Sequence, residues 1–457
     1  MLRLHDTALG AVTDIAPREP GRLSMYVCGP TVYDVPHIGH GRQVLVYDVL
    51  RRYLEWGGVD VVHVSNVTDI DDNIVRRSEE EGRPADEVAH HYEGVYWNAM
   101  DRLGVARPSV VPHATDYVAG MVELIAKLVA RGIAYESSDG VYLSVEKVDG
   151  YGQLSHQPLQ SLRAGARVEV DEAKRSPVDF ALWKRAKPGE PAWESPWGAG
   201  RPGWHTECVV MSLDLLGEDF DLHTGGLDLV FPHHENERAQ AMALGRPFAR
   251  HWMHHAFVEV AGEKMSKSLG NYTSLVDLLD RTDARAYRLL VLQSHYRTPL
   301  EVTPATITAA ESALERLDAL ARRFELGARS SLAGPGSEEL DGEAVARFRR
   351  AMDDDLDTPV AMAVVFELLR SANAAADDGE TERARRLAAT VAELAGAMGL
   401  ELGQADDVVD DESAALVERR DAARRARDFA SADALRDELT ARGWVVEDGP
   451  EGTSIRR

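Results

Sequence analysis

Cysteine is scarce in this chain of 457 residues, which contains only Cys28 and Cys208. With 180 positions between them and no further cysteine, a structural disulfide in a reducing compartment is not expected. Two buried apolar thiols are the alternative that needs no function. The residues around each cysteine must therefore decide what the thiols do.

Long apolar runs are also missing. No stretch approaches the roughly 20 apolar residues that a membrane-spanning helix needs. The N-terminus has no basic segment followed by an apolar stretch, so no secretory signal is predicted. We therefore expect a soluble, cytoplasmic protein that makes no contact with a membrane.

Positive charge is in short supply, with 51 Lys and Arg against 76 Asp and Glu, a formal net charge of −25 and a pI near 5.1. This balance favours solubility and argues against diffuse binding to nucleic acid. Specific RNA recognition stays open, because contacts with phosphates need only a local basic face.

The first eighty residues alternate between strand and helix patterns. Strands are predicted at Leu23–Val27 and Val61–Val64, with a helix at Gly39–Trp56 between them. This order is typical of a parallel, Rossmann-like α/β sheet that binds nucleotides. Ligands bind beyond the carboxyl ends of such strands, where Cys28 and Thr68 would both lie.

The length predicts several domains. After a helical stretch, Tyr135–Leu143 is typical of a hairpin, and we interpret the polar section around it as an insertion into the sheet. The predicted order is a first half of the Rossmann-like domain (1–88), the insertion domain (89–198), the second half (199–271), a stem-contact or linker segment (272–305), a helical bundle domain (306–400) and a small α+β C-terminal module (413–457).

The C-terminal half is predicted to be mostly helical. Thr306–Leu326 and Glu343–Asp378 are long amphipathic stretches, and Thr358-Pro359 marks a helix break inside the second one. The C-terminal module has the pattern of two helices followed by short strands at Trp444–Glu447 and Thr453–Ile455. No period repeats, so no solenoid is predicted.

His37-Ile38-Gly39-His40 begins the first long helix. A helix N-terminus offers N–H donors and the positive end of the dipole to phosphate. Two imidazoles three positions apart can reach one triphosphate, and Gly39 leaves room for an adenine ring against the backbone. Such a short string also arises by chance, so it predicts an ATP site only together with a second motif.

Lys264-Met265-Ser266-Lys267-Ser268 is the second motif. Two lysines on a Ser- and Gly-rich loop are by default solvated surface charge. As a functional pair, Lys264 and Lys267 would neutralise charge that develops on a departing pyrophosphate. In this order, and around a strand–helix–strand unit, the two motifs resemble the paired signatures of class I aminoacyl-tRNA synthetases.

A metal site is predicted from four further residues. His233 and Glu237 are four positions apart, on one face of a helix that begins near Pro232. With Cys28 and Cys208 they make a set of two sulfurs, one imidazole and one carboxylate, which indicates zinc. His234 is a competing ligand, and a purely structural histidine is the alternative reading.

The segments around these residues are similar to those of one family, the cysteinyl-tRNA synthetases. The similarity lies in Met25–Asp34, Gly200–Cys208, Phe231–Glu237, Ala351–Pro359 and the C-terminal module. It implies one zinc ion per chain, with Cys28, Cys208, His233 and Glu237 as its ligands.

The resemblance also implies the reaction. L-cysteine and ATP would form cysteinyl-adenylate and pyrophosphate, and cysteine would then pass to the 3′-terminal ribose of tRNA(Cys). Magnesium is expected with ATP on chemical grounds, and a monomer is expected. The remaining implied assignments are His37, His40, Gly39 and Lys267 for ATP; Cys28, Gly29, Thr68, Trp204 and His223 for cysteine; and Arg424, Asp433 and Asp448 for the anticodon.

Two positions depart from the family pattern, since Gly41 stands where alanine is usual and Asn73 where lysine is common. Neither removes a predicted catalytic group. Two alternatives stay open: a zinc-dependent ligase that joins cysteine to an amino sugar, as in mycothiol synthesis, and an inactive relative that only binds RNA or protein. The first would lack the module 413–457, and the intact histidine and lysine motifs argue against the second.

Overall fold

The structure, a computed structural model, describes residues 1–160, 174–260, 263–264, 273–326, 332–403, 411–442, 444–449 and 452–456. Lys267 lies outside the described residues. Lys264 and Asp448 are described only through their backbones, which lie in strands.

The described strands are, in chain order, β1 (Arg3–Asp6), β2 (Ala11–Asp14), β3 (Arg22–Val27), β4 (Asp60–Ser65), β5 (Ala134–Glu136), β6 (Gly140–Leu143), β7 (Phe180–Arg185), β8 (Gly200–Pro202), β9 (Leu222–Gly226), β10 (His251–His255), β11 (Val258–Val260), β12 (Glu263–Lys264), β13 (Leu300–Glu301), β14 (Val445–Gly449) and β15 (Gly452–Arg456). The main described helices are α1 (Ile38–Trp56), α2 (Asp72–Glu81), α3 (Ala85–Arg102), α4 (Val118–Ala130), α5 (Trp204–Leu215), α6 (Glu235–Ala243), α7 (Leu275–Leu279), α8 (Ala284–Leu292), α9 (Pro304–Arg323), α10 (Gly342–Asp353), α11 (Thr358–Asp377), α12 (Thr381–Ala397), α13 (Asp411–Arg425) and α14 (Phe429–Ala441).

A four-stranded parallel sheet forms the centre of the catalytic part, in the order β10-β9-β3-β4. This confirms the predicted Rossmann-like sheet. From β3 the chain crosses through α1 to β4 on one side, whereas β9 pairs with the other side of β3. The carboxyl ends of β3 and β9 therefore flank the point where the strand order reverses, which is where such sheets bind ligands. Cys28 directly follows β3 at this point.

Helix α1 confirms the helix predicted at Gly39–Trp56. His37 is its N-cap, and its side chain accepts a hydrogen bond from the amide of His40. Leu45, Leu50 and Tyr53 are buried on the core side of the helix. Because one face is anchored in the core, the N-terminus of α1 is held rigidly at the edge of the sheet.

The insertion forms an antiparallel sheet in the order β5-β6-β7-β8. The hairpin predicted at Tyr135–Leu143 is confirmed by the pairing of β5 with β6. Strand β8 pairs with β7, and α5 begins two residues after β8 ends. The helix that carries Cys208 is thus attached directly to the sheet of the insertion.

The described C-terminal half is mostly helical, and the predicted break at Thr358-Pro359 is confirmed, since α10 ends at Asp353 and α11 begins at Thr358. Among the described helices, α11 alone has a length and composition that would allow it to cross a membrane. It packs on α10 and α12, with Val365 fully buried, which is the position of a core helix in a bundle.

The C-terminal module has the predicted order of two helices and two strands, with β14 and β15 paired as an antiparallel hairpin. It has a small core of its own that includes Leu416, Leu439 and Trp444. The Trp444 indole donates a hydrogen bond to Ser413 Oγ at 2.8 Å, which ties the hairpin to the start of α13.

Candidate metal centre and nucleotide cleft

Four potential metal ligands converge from separate segments of the chain. Cys28 follows β3, Cys208 lies in the middle of α5, and Glu237 lies in the first turn of α6. His233 is in the wide helical turn before α6. Phe231 has extended dihedral angles in this turn, so the helical geometry begins again at Pro232. This agrees with the prediction that Pro232 is a first helical residue. All four ligand side chains are buried.

The distances between these groups fit a tetrahedral ion. The Sγ atoms of Cys28 and Cys208 are 3.6 Å apart, Cys208 Sγ lies 3.7 Å from His233 Nε2, and Cys28 Sγ lies 3.6 Å from Glu237 Oε1. His233 Nε2 and Glu237 Oε1 are 3.0 Å apart. Zinc bond lengths in a tetrahedron give edges of about 3.8 Å for two sulfurs, about 3.6 Å for sulfur and nitrogen, and about 3.3 Å for nitrogen and oxygen.

His234 belongs to a second group that could hold an ion, together with Cys28, His223 and Glu237. Its Nε2 lies 3.2 Å from Cys28 Sγ, but 4.0 Å from Glu237 Oε1. The group with His233 contains both thiols, and soft sulfur ligands are the ones that favour zinc. The described residues therefore offer two overlapping sets, of which the set with His233 fits zinc better.

Several aromatic rings orient the ligands of this group. His223 Nε2 lies 2.8 Å from Glu237 Oε2, which leaves Oε1 directed at the thiols. The imidazole of His223 stacks on Trp252 with a centroid distance of 4.7 Å. Trp204 stacks on His233 at 4.0 Å. Such outer contacts fix the rotamers of metal ligands and raise metal affinity.

The electrostatics of the group prepare it for a cation. Burial acts to raise the pKa of Glu237, but the imidazoles of His223 and His233 outweigh it and hold this pKa well below its usual value. Burial, together with Cys208 and Glu237, raises the pKa of the Cys28 thiol. Burial also acts to raise the pKa of Cys208, yet hydrogen bonds from Cys28 and His233 lower it overall. The pKa values of Glu237 and Cys208 are thus both lowered, which favours the anionic forms of these two groups.

A cavity of about 410 Å³ extends from Cys28 to the N-terminus of α1, and Cys208, His233 and Glu237 are not among its lining residues. Of the predicted site residues, the cavity is lined by Cys28, Gly29, His37, Gly39, His40 and Trp204. Thr68 and His223 are not among its lining residues. Both are buried, Thr68 next to Glu207 and His223 next to Glu237.

The two histidines of the first motif hold each other in place. Their rings stack with centroids 3.8 Å apart. The amide of His40 donates to Nδ1 of His37 at 3.3 Å, and the amide of His37 donates to Nδ1 of His40 at 3.1 Å. Because Nδ1 is an acceptor in both rings, each neutral imidazole carries its proton on Nε2. The pair can therefore donate to anionic oxygens in the cavity.

Two polar residues that the sequence analysis did not select, Asn66 and Glu207, contact the predicted site residues Gly29 and Thr68. Asn66 Oδ1 accepts the amide of Gly29 at 2.9 Å, and Thr68 Oγ1 donates to Glu207 Oε2 at 2.8 Å. A Cβ at Gly29 would lie 1.7 Å from the carbonyl oxygen of Asn66, so only glycine permits this approach. Their closeness in sequence to Thr68 and Cys208 is the signal that could have identified both.

Two further cavity residues, Asp228 and His255, were also missed by the sequence analysis. They follow or end the parallel strands β9 and β10. Burial lowers the pKa of His255 to about 3, so this imidazole is neutral. The rule that ligands bind at the carboxyl ends of parallel strands could have selected them.

The two departures from the family pattern, Gly41 and Asn73, lie in different surroundings. A Cβ at Gly41 would lie 3.0 Å from side-chain atoms of Leu275 and Tyr287, which occupy the space that an alanine methyl would need. Asn73 lines the cavity, and its backbone amide donates to the carboxylate of Asp71, the N-cap of α2. Neither departure touches a potential metal ligand.

The three predicted anticodon residues lie in the C-terminal module. Arg424 is in the last turn of α13, and Asp433 is exposed on α14. The backbone of Asp448 pairs with Thr453 in the hairpin. Neither Arg424 nor Asp433 is among the described residues that line the cavity between Cys28 and α1.

Three family matches cover most of the chain. Residues 14–312 match the family described as "tRNA synthetases class I (C) catalytic domain". Residues 347–403 match the "DALR domain", and residues 406–456 match the "Cysteinyl-tRNA ligase anticodon binding domain".

Similar proteins extend over the full length. A cysteine–tRNA ligase of Thioalkalivibrio sulfidiphilus is 46% identical over 100% of both chains, and one of Thermotoga maritima is 44% identical over 99% of both. A solved structure of Mycobacterium tuberculosis methionyl-tRNA synthetase with methionyl-adenylate covers 82% of this chain and 89% of its own, with a TM-score of 0.60 and 16% identity. That structure shows the fold alone. The chain therefore belongs to the cysteine–tRNA ligase family of class I aminoacyl-tRNA synthetases.

Proposed function

We propose that this chain is a zinc-dependent cysteine–tRNA ligase, which activates L-cysteine with ATP and transfers it to tRNA(Cys). The observation that carries the proposal is one cavity that extends from Cys28, a member of a buried thiol-rich metal group, to the histidine-capped N-terminus of α1. The metal group selects the amino acid, and the helix N-terminus binds the nucleotide.

Selection of cysteine over serine is the task of the metal group. Cys28, Cys208, His233 and Glu237 would hold the ion. A bound zinc ion supplies a soft Lewis acid that prefers a thiolate to the hydroxyl of serine, which shape alone discriminates poorly. His223 keeps Glu237 directed at the group, and Trp204 both packs on His233 and lines the cavity.

Activation of cysteine needs its carboxylate in line with the α-phosphate of ATP. A carboxylate oxygen forms a bond to phosphorus, the bond from phosphorus to the bridging oxygen breaks, and pyrophosphate leaves with the electron pair. His37 and His40 donate hydrogen bonds from Nε2–H to the phosphates at the start of α1. Gly39 leaves room for adenine, and magnesium accompanies ATP.

The charge on the leaving pyrophosphate is assigned to the lysine motif. Lys264 lies in β12, which pairs with β11, and Val258 at the start of β11 lines the cavity. Lys264 and Lys267 would offset the negative charge that develops as pyrophosphate departs, an effect of several kcal/mol for preorganised cations.

In the transfer step, a hydroxyl of the 3′-terminal ribose attacks the activated carbonyl, and AMP leaves as the carbon–oxygen bond to phosphate breaks. The helical domain and the C-terminal module would bind the tRNA, with Arg424, Asp433 and Asp448 at anticodon bases. Arginine can donate to guanine, and aspartate can accept from exocyclic amines. We place the enzyme in the cytoplasm as a monomer.

The amino-sugar alternative is not favoured. Such a ligase would have no use for a module that recognises an anticodon, whereas residues 406–456 match an anticodon-binding domain. The two activities share their first step, so only the acceptor distinguishes them.

Cysteine-dependent exchange between ATP and pyrophosphate tests activation, and aminoacylation of total tRNA tests the acceptor. We expect both activities in the unaltered chain. Cys208→Ser should lose zinc and cysteine activation, and Lys267→Ala should slow activation while zinc is retained. Exchange without any labelled cysteine on tRNA would overturn the proposed function.

A further inference from the structure

Asp355 occupies an unusual place in the segment between α10 and α11. Its side chain is buried, and its backbone has φ of +61°. The next residue, Leu356, has φ of +51° and is also buried. Two successive residues other than glycine in the left-handed region persist only where the surrounding structure requires them.

The carboxylate of Asp355 joins three separate parts of the chain. Oδ1 accepts the amide of His5 at 2.8 Å and the hydroxyl of Tyr296 at 2.5 Å. Oδ2 accepts Nε of Arg297 at 2.8 Å and also its Nη2. The amide of Asp355 donates to the carbonyl of Arg3 at 2.9 Å. The N-terminal strand, the segment after α8 and the helical domain therefore meet at one side chain.

One route from Asp355 leads to the wall of the cavity. The carbonyl of Tyr296 accepts the amide of Ala256 at 2.8 Å. Arg42, two positions after His40, donates to the carbonyls of Phe257 at 2.6 Å and Tyr296 at 3.2 Å. Arg42, Ala256 and Phe257 all line the cavity.

A second route leads to the metal group. His5 lies in β1, and Thr7 follows this strand. Thr7 Oγ1 is 2.7 Å from His254 Nδ1, and His254 Nε2 is 2.7 Å from His234 Nδ1. His234 Nε2 in turn lies 3.2 Å from Cys28 Sγ. The N-terminal strand is thus hydrogen-bonded to the outer contacts of the metal centre.

We propose that Asp355 is a positioning residue for the transfer step, because it sets the helical domain in register with the cavity wall and the metal group. This inference rests on the proposed function. Activation uses only small substrates inside the cavity. The cavity wall and the metal group keep their own hydrogen bonds through Arg42 and His254 when Asp355 is changed, so activation does not need that register. In the transfer step the C-terminal half holds the tRNA, and the 3′ end of the tRNA must reach the adenylate. A misplacement of the reacting groups by about 1 Å can lower the rate about 100-fold.

The test compares Asp355→Asn with Asp354→Asn in the full-length, zinc-loaded chain. Asp354 is the matched control, because its side chain is 68% exposed and contacts only the exposed Arg3 among the ion pairs of the described residues. ATP–pyrophosphate exchange is measured without tRNA, and transfer is measured in a single turnover from preformed cysteinyl-adenylate. For Asp355→Asn we expect exchange within about twofold of the unaltered chain and transfer slower by about tenfold or more. Asp354→Asn should change neither rate.

A variant with less effect on folding accompanies the first. Tyr296→Phe removes one donor to Asp355 and keeps the ring in the core, so transfer should slow in the same direction with exchange unchanged. Equal losses of exchange and transfer in both variants would show a merely structural role and overturn the inference. Full transfer activity in both Tyr296→Phe and Asp355→Asn would also overturn it. Absence of exchange in the unaltered chain would instead contradict the proposed function.

Discussion

The imidazoles of His37 and His40 stack on one another, and each ring accepts a hydrogen bond from the backbone amide of the other residue. The pair therefore caps α1 through the two Nδ1 atoms. In the function that we propose, the same two side chains also bind phosphate, but through their Nε2 atoms.

The two roles of His37 can be separated by substitution. His37→Asn keeps a good N-cap acceptor and removes the Nε2 donor, so stability should stay close to that of the unaltered chain while ATP–pyrophosphate exchange falls. His37→Ala removes both and should cost about 1 kcal/mol of unfolding free energy as well. Urea denaturation and exchange kinetics measure the two effects. Equal stability losses in both variants would contradict a capping role.

Zinc content distinguishes the two overlapping ligand sets. His233→Ala should fail to retain stoichiometric zinc after dialysis, because one of four ligands is lost. His234→Ala should retain zinc with an affinity lowered by about 10- to 100-fold, the usual effect of removing an outer contact. Metal analysis and competition with a chelator give the affinities. If His234→Ala lowered the zinc affinity more than His233→Ala did, the ligands would be Cys28, His223, His234 and Glu237.

Glu207 should tolerate a neutral replacement. Burial raises the pKa of this carboxyl well above its usual value, which favours its uncharged form. Glu207→Gln preserves volume and an acceptor for Thr68 and should change unfolding free energy by less than about 1 kcal/mol. Glu207→Ala removes the acceptor of the Thr68 hydroxyl and leaves a void where the longer side chain was, which should cost about 2–4 kcal/mol. Thermal denaturation of both variants measures the difference. If the Gln variant were as unstable as the Ala variant, the prediction that Glu207 tolerates a neutral replacement would be wrong.

The stability of the chain should depend on Asp48 at low pH. Burial acts to raise the pKa of Asp48, but Arg288 at 2.6 Å and Arg52 at 2.9 Å lower it overall below its ordinary value of 3.8. A carboxyl whose pKa is lower in the folded than in the unfolded state stabilises the fold above the unfolded pKa. That contribution is then lost as pH falls through the folded pKa.

We therefore expect Asp48→Asn to lose about 3–5 kcal/mol near neutral pH, because Arg288 is left buried without its partner. The difference from the unaltered chain should shrink as pH falls below the ordinary carboxyl pKa. Denaturation curves between neutral pH and pH ~3 measure this. Glu367→Gln, which breaks an exposed ion pair with Arg347, is the control and should have little effect at any pH.

The parallel sheet, helix α1, the hairpin of the insertion and the break before α11 were all predicted correctly, because each depends on local patterns of apolar residues, glycine and proline. The four potential metal ligands were selected from residue type, spacing and family resemblance. The placement of all four within contact distance of one another is a finding of the structure.

Partners that are distant in the chain could not be predicted in this way. Thr68 and Glu207 are 139 positions apart, and their hydrogen bond depends on how α5 packs against the loop after β4. Asp355 and His5 are 350 positions apart, and no local pattern marks a contact between them. Neither pair produces a periodicity or a motif that a reading of the sequence could detect.

The sequence by itself determined the kind of chemistry, because two cysteines, two histidine motifs and a lysine motif are recognisable by residue type and order. Only the tertiary structure decided which atoms meet: that Glu237 directs one oxygen at the thiols and the other at His223, and that Asp355 joins three parts of the chain. The physical reason is that hydrogen bonds and metal ligation depend on distances of a few tenths of an ångström, which the packing of whole elements sets.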